Sequence, residues 1–194
     1  MINYSMLAQA SQYYSDLGYE RIEAPWLVSK EISDVTKPLG ASTFIVQKDI
    51  EQKQKAFVSS GEQSFLYLIN KGHLPSSGRF HTITPCLRND MWDEIHMKQF
   101  MKLELIYYVT TVENYFVTEP FNLELDKMVD TCLKYFTKLA GTSNTVEVIK
   151  TDQGYDINMN GIEIGSYGIR SCLFAEWIYG TGLAEPRFSR ILGY

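Results

Sequence analysis

Residues 86–105, CLRNDMWDEIHMKQFMKLEL, decide how this chain folds. Upstream, residues 80–88 alternate: Thr82, Thr84, Cys86 and Arg88 face one way, His81, Ile83, Pro85 and Leu87 the other. Residues 98–108 alternate as well, with Lys98, Phe100, Lys102, Glu104 and Tyr108 opposite Gln99, Met101, Leu103, Leu105 and Tyr107. Two alternating runs joined by a polar loop predict an antiparallel hairpin. Pro85 cannot donate a ladder hydrogen bond, so it belongs on an open edge or at a bulge. The hairpin carries its unusual chemistry on one face. Arg88, at the end of its strand, can present a planar fork to a phosphate or carboxylate. Phe100 shares its face with Lys98 and Glu104, a place for a ring on which something flat stacks. His96, in the loop, can donate to a phosphate. Cross-strand charge pairing with one exposed aromatic would produce the same pattern on either strand alone.

The flanking chain reads as helices and further hairpins. A first helix is expected over about residues 2–17, ended by Gly18, followed by YERIEAPWLVS, a short strand broken by Pro25. SSGEQSFLYLINKG predicts a helix with Ser60 as N-cap, Gln63 completing a capping box and Gly72 closing it. A long helix starts near Pro120 and stops at Gly141, with Phe121, Leu125, Met128, Val129, Cys132, Leu133, Phe136 and Leu139 as its apolar stripe. TVEVIK and YDINMNGIEIG predict strands, with Asn160-Gly161 as a two-residue turn. The last stretch, WIYGTGLAEPRFSRILGY, predicts a glycine-bearing strand that runs into a short helix. The expected class is α+β, an antiparallel sheet flanked by helices, in one domain over residues 1–194.

Composition limits the function. The chain has 194 residues, 45% hydrophobic and 21% charged, with a formal net charge of −5. That balance opposes general affinity for long nucleic acid, so any phosphate site has to be a local cluster. The three cysteines, Cys86, Cys132 and Cys172, are scattered without CxxC spacing, which argues for a reducing compartment and against structural zinc. The first residues lack a signal-peptide pattern and nothing is long and apolar enough for a membrane helix. The expected location is cytoplasmic, with no membrane partner.

Two further clusters carry chemistry. If Asn160-Gly161 is the turn, Met159 pairs with Ile162 and Asn158 with Glu163, so Asp156, Asn158, Glu163 and Gly165 share one face and Ile157, Met159, Ile162 and Ile164 the other. Two carboxylates and an amide without an intervening cation suit Mg²⁺; a solvated polar face gives the same pattern. Gly180-Thr181-Gly182 ahead of Arg187 is the other cluster, because strand glycines often mark close approach of a ligand. Tyr108, Tyr167 and Trp177 are either pocket or core.

Taken in order, these stretches resemble the three signature motifs of the class II aminoacyl-tRNA synthetase catalytic core, over about residues 10–192. GYERIEAPWL, with Gly18 and Pro25, is similar to the first motif, LRND…HMKQFMKLEL to the second and GTGLAEPR to the third. Asp90 stands where the second motif has Glu, and Ala184 where the third has its last glycine. The resemblance implies ATP and Mg²⁺ as co-substrate and cofactor, and amino-acid activation as the reaction, with transfer to tRNA or another acceptor. It implies that Arg88 binds the α-phosphate and the amino-acid carboxylate, and that Phe100 stacks on adenine. Arg187 lies on the other face of the base near the γ-phosphate, Asp90 faces the adenine amino group and His96 the distal phosphates. Asp156 and Glu163 hold the metal, and Ser60, Glu62 and Glu104 receive the amino acid. Arg88, Glu163 and Arg187 are the catalytic set. It further implies a homodimer through residues around Gly18 to Ser29, and contact with a tRNA acceptor end. A synthetase-like paralogue that binds ATP or amino acid without catalysis is the alternative.

Overall fold

The computed structural model describes residues 1–37, 42–46, 53–89, 97–110 and 118–194, with only the backbone of 118–120. Helix α1 (Tyr4–Asp16) is capped by Asn3, whose Oδ1 accepts from the Met6 N–H at 3.0 Å, and stops at Gly18 with φ +87°. Strands β1 (Glu20–Arg21) and β2 (Leu27–Ser29) follow on either side of Pro25, then α2 (Lys30–Val35), β3 (Ile45–Val46) and β4 (Lys55–Phe57). Helix α3 (Gly61–Asn70) leads into the long hairpin β5 (Ser77–Leu87) and β6 (Gln99–Thr110). Helix α4 (Thr118–Ala140) precedes β7 (Val146–Thr151), β8 (Gly154–Met159), β9 (Ile162–Cys172), β10 (Ala175–Glu185) and α5 (Arg187–Ile191). The expected first helix, broken strand, long hairpin and long helix are all present.

Among the described residues, seven strands form one sheet in the order β1-β5-β6-β10-β9-β8-β7, antiparallel except where β1 joins β5. A small sheet, β2-β4-β3, stands apart from it. Alternation puts Leu103, Leu105, Ile178 and Leu183 on the face covered by α1 and α4, where Leu7, Tyr14, Phe121 and Phe136 complete a buried cluster. Part of the other face is covered by α3, with Phe65, Leu66, Ile106, Tyr108 and Trp177 in a second cluster. The rest of that face stays open and becomes the cavity described below.

Pro85 pairs with Met101 on the β6 side, and β1 meets β5 only at Phe80 and His81, so the proline stands on the open side of its strand, as expected. Asn160 (φ +53°) and Gly161 (φ +79°) form the two-residue turn, with Met159 opposite Ile162 and Asn158 opposite Glu163. One residue further the expected register fails. A bulge lets Ile157 pair with Gly165 and Asp156 with Ser166, so Ser166 takes the place expected for Gly165. Ile164 is the inserted residue; its side chain is buried, which accounts for the extra residue on that strand.

Candidate functional site

Gly61 decides where α3 begins. A Cβ there would lie 2.8 Å from the Cβ of Glu104 and 3.1 Å from Thr84 Oγ1, so only glycine lets the helix start rest directly on β5 and β6. Ser60 and Glu62 are thereby held against the sheet. The expected capping box is not formed, because both side chains bond elsewhere than in the box. Gln63 Oε1 accepts from the Ser59 N–H at 2.8 Å, and the Ser60 hydroxyl makes no cap bond and donates to Glu104 Oε2 instead. The buried carboxylate outcompetes the helix start for the hydroxyl, since hydrogen bonds to charged acceptors are the stronger ones.

Two ion pairs line the inner wall. Lys102 Nζ lies 2.9 Å from Glu104 Oε2 and 3.5 Å from Ser60 Oγ. Glu104 is fully buried, and its second oxygen, Oε1, has no hydrogen-bond partner among the described residues. Both oxygens of Glu62 are bonded by contrast: Trp177 Nε1 donates to Oε1 and Arg170 Nη1 to Oε2, both at 2.7 Å. Burial pushes the Glu62 carboxyl up, and the Arg170 charge draws it partly back. The Arg170 guanidinium also lies 4.1 Å over the ring of Tyr179.

At the other end, Arg88 Nε donates to the Ser59 carbonyl at 3.1 Å while its guanidinium lies 5.0 Å over the Phe100 ring. Arg187, the first residue of α5, has Nη1 3.4 Å from Glu163 Oε1 and 3.4 Å from the Glu163 carbonyl. A cavity of about 360 Å³ joins the two ends, lined by Ser60, Glu62, Arg88, Phe100, Glu163 and Arg187 among others. Six residues singled out in the sequence therefore converge on one space. Glu104 lies behind the wall, reached through Ser60 and Lys102. Asp156 is not part of the lining; its register partner Ser166 is. Asp90 and His96 lie outside the described residues.

The glycines of the last strand do something other than admit a ligand. A Cβ on Gly180 would stand 2.7 Å from the Tyr167 ring, and one on Gly182 would stand 2.8 Å from the Tyr14 ring and collide with Leu103. Both point into the core on the helix side, away from the cavity. A register shift between Thr181 and Leu183 interrupts pairing with β6, and two buried tyrosines take up the carbonyls there: Tyr167 donates to Thr181 O at 2.7 Å and Tyr14 to Gly182 O at 3.0 Å. Tyr108, Tyr167 and Trp177 are buried and belong to the core, although Trp177 reaches Glu62 from beneath. Sequence reasoning assigned no role to Lys102, Ser166, Arg170, Tyr179 or Thr181. Lys102 was visible on the face shared by Phe100 and Glu104, and Thr181 inside the Gly180-Thr181-Gly182 stretch; Ser166, Arg170 and Tyr179 carry no local signal.

A second, open groove of about 650 Å³ runs past Ile22, Pro25, Trp26, Leu27, Phe57 and Ile83. Trp26 is 56% exposed on its rim. No helix among the described residues is long and apolar enough to cross a membrane.

No family model matches the chain, and no curated protein matches it in sequence. Solved structures match in shape. The chain superposes on a pyrrolysyl-tRNA synthetase, PylSc, of Desulfitobacterium hafniense with a TM-score of 0.67 at 13% identity, covering 98% of this chain and 69% of that one. It superposes on the cytoplasmic serine-tRNA ligase of Naegleria fowleri, solved in complex with AMP, with a TM-score of 0.70 at 15% identity, covering 94% of this chain and 46% of that one. Both are class II synthetases. The chain has the class II aminoacyl-tRNA synthetase fold. Within that class II fold the long β5–β6 hairpin carries the second-motif stretch, and β10 with α5 the third.

Proposed function

We propose that the protein activates an amino acid with ATP, forming an aminoacyl adenylate and releasing pyrophosphate. The observation that supports this best is one cavity that brings Glu62, Arg88, Phe100 and Arg187 together. The Glu62 carboxylate suits an ammonium group, the Phe100 ring a flat base, and the arginines suit phosphates and a carboxylate. In the proposed reaction a carboxylate oxygen of the amino acid attacks the α-phosphorus in line. The bond from that phosphorus to the bridging oxygen breaks, and the electron pair leaves with pyrophosphate. Arg88 steadies charge on the transferring group while Phe100 stacks on the base. Arg187 lies along the distal phosphates. Positioning and electrostatics supply the rate, with no covalent protein intermediate.

Magnesium fits the same reading. Asn158 Oδ1 is buried without a partner among the described residues, and it stands opposite Glu163 in register, with Asp156 two residues along the strand. Asp156 and Glu163, with that amide oxygen, would hold the ion, a set of hard oxygen donors of the kind Mg²⁺ takes beside substrate phosphates. When bound, it would neutralise charge on the phosphates. The groove around Trp26 suits a second copy of the chain, giving a homodimer through residues Gly18 to Ser29, and tRNA offered at its acceptor end is the proposed acceptor. The test is amino-acid-dependent ATP–pyrophosphate exchange across the twenty amino acids. Exchange with one or a few supports the reading. ATP binding without exchange for any of them would mark a non-catalytic relative instead.

A further inference from the structure

The cavity changes character along its strands. At the end where β6 begins and β10 stops, the lining carries the apolar Met97, Phe100, Ile164, Ala184 and Pro186, with Arg88, Arg187 and its partner Glu163. Further along β6, β9 and β10 the lining is polar throughout: Ser60, Glu62, Ser166, Arg170, Tyr179 and Thr181. Lys102, opposite Ala184 in register, stands at the join. The polar end is continuous. Ser60, Glu104 and Lys102 bond to one another, Glu62 pairs with Arg170, Arg170 covers Tyr179, and the Ser166 N–H donates to Thr181 Oγ1 at 3.4 Å.

Lys102 is a nearly buried residue in this wall with bonding capacity to offer. Its ammonium has three donors; among the described residues Glu104 and Ser60 take two. It is nearly buried, so water has little access to the third. A hydrocarbon group packed against this end would leave that donor, and the hydroxyls around it, without water and without a partner. Resting on the proposed amino-acid activation, we propose that the polar end selects an amino acid with a short side chain that accepts a hydrogen bond (hydroxyl, carboxamide or carboxylate), and that Lys102 is the residue that discriminates. A short side chain suffices because Lys102 stands at the join between the two ends of the cavity. Lys102, held by Glu104 and Ser60, takes the side-chain oxygen. Glu62, bonded through both oxygens, also acts as a positioning residue for Arg170 and Trp177.

The test uses non-hydrolysable aminoacyl-sulfamoyl adenosines in pairs of equal shape, threonyl against valyl and asparaginyl against leucyl, titrated by calorimetry into the full chain. In each pair the polar member should bind at least about tenfold more tightly, as expected where a buried polar group is left unpaired by the wrong ligand. Lys102→Met, which keeps length and removes the donor, should bring both ratios close to one; Lys102→Arg should keep them above one. Equal or reversed ratios in the wild type overturn the proposal, whether or not the variants fold. Unchanged ratios in a folded Lys102→Met overturn the role of Lys102. If ATP binds and none of the four analogues does, the side-chain reading fails while the nucleotide site stands. If neither ATP nor any analogue binds, amino-acid activation fails and takes this inference with it.

Discussion

On its helix side the seven-stranded sheet buries Leu103, Leu105, Ile178 and Leu183 under α1 and α4; on its cavity side the same strands bury Lys102 and Glu104 and half-bury Arg170. The helix side is held by volume, and many residues share the load. The cavity side is held by pairings, each with one geometry: Ser60 with Glu104, Glu62 with Arg170, Arg187 with Glu163. A change on the first face should therefore be felt throughout the fold. A change on the second should be felt by whatever occupies the cavity.

The largest expected effect probes the ionisable group on the helix side of the hairpin. His81 is buried, with one ring nitrogen 2.8 Å from Ser11 Oγ and the other 3.2 Å from the Tyr19 carbonyl. Burial lowers its pKa from 6.5 to about 4, with a smaller push from Arg21. The unfolded chain then binds the extra proton between these values, so stability is full above pH 6.5 and falls as the pH drops through 4. The loss should be about 3 kcal/mol, at 1.36 kcal/mol per pH unit. Urea titrations at pH 7 and pH 4 check it, and His81→Gln should flatten the difference; an equal drop in that variant would mean the helix side has no such dependence.

Next comes Gly182→Ala, which pushes a methyl group into Tyr14 and Leu103. It should cost about 1–3 kcal/mol of stability, the usual range for overpacking. A normal melting curve with lost ATP binding would reverse the assignment of this glycine to the helix side. Smallest in stability is Phe100→Ala, expected within about 0.5 kcal/mol, yet it should weaken ATP binding by about 1–3 kcal/mol through lost stacking. Phe44→Ala should not weaken it. Equal losses for the two, by calorimetry, would end the stacking role. On the same face, Glu163→Gln should raise the Mg²⁺ needed for ATP binding without altering the melt, and unchanged Mg·ATP affinity would reduce the carboxylate to a solvated side chain.

The same contrast explains what could be read from residue order. Alternation and helical spacing gave the β5–β6 hairpin, α4 and its apolar stripe, and Asn160-Gly161 gave its turn, because each is a local pattern enforced by burial on one side. The small sheet β2-β4-β3 was not anticipated, since strands of two or three residues are too short to alternate. Nor were the two bulges, which depend on what the neighbouring strand and the core demand. Ser60 was read as a helix cap from its neighbours, but a carboxylate 44 positions away takes its hydroxyl. The pairing of Glu62 with Arg170 spans 108 positions, and no local pattern announces it. The end of the cavity that holds Arg88, Phe100 and Arg187 was legible only through its likeness to known motifs.

The two tyrosines that grip the carbonyls of Thr181 and Gly182 from behind have a consequence for how this protein can change over time. At its register shift strand β10 is held by hydroxyls anchored in α1 and β9, and on the cavity side by Thr181 Oγ1, which accepts from the Ser166 N–H. Substitutions of the Ser166 or Tyr179 side chain can then accumulate with little disturbance of the backbone that carries them. A lineage could exchange one preferred cargo for another by altering a handful of codons, while selection continues to guard the rings on the hidden side.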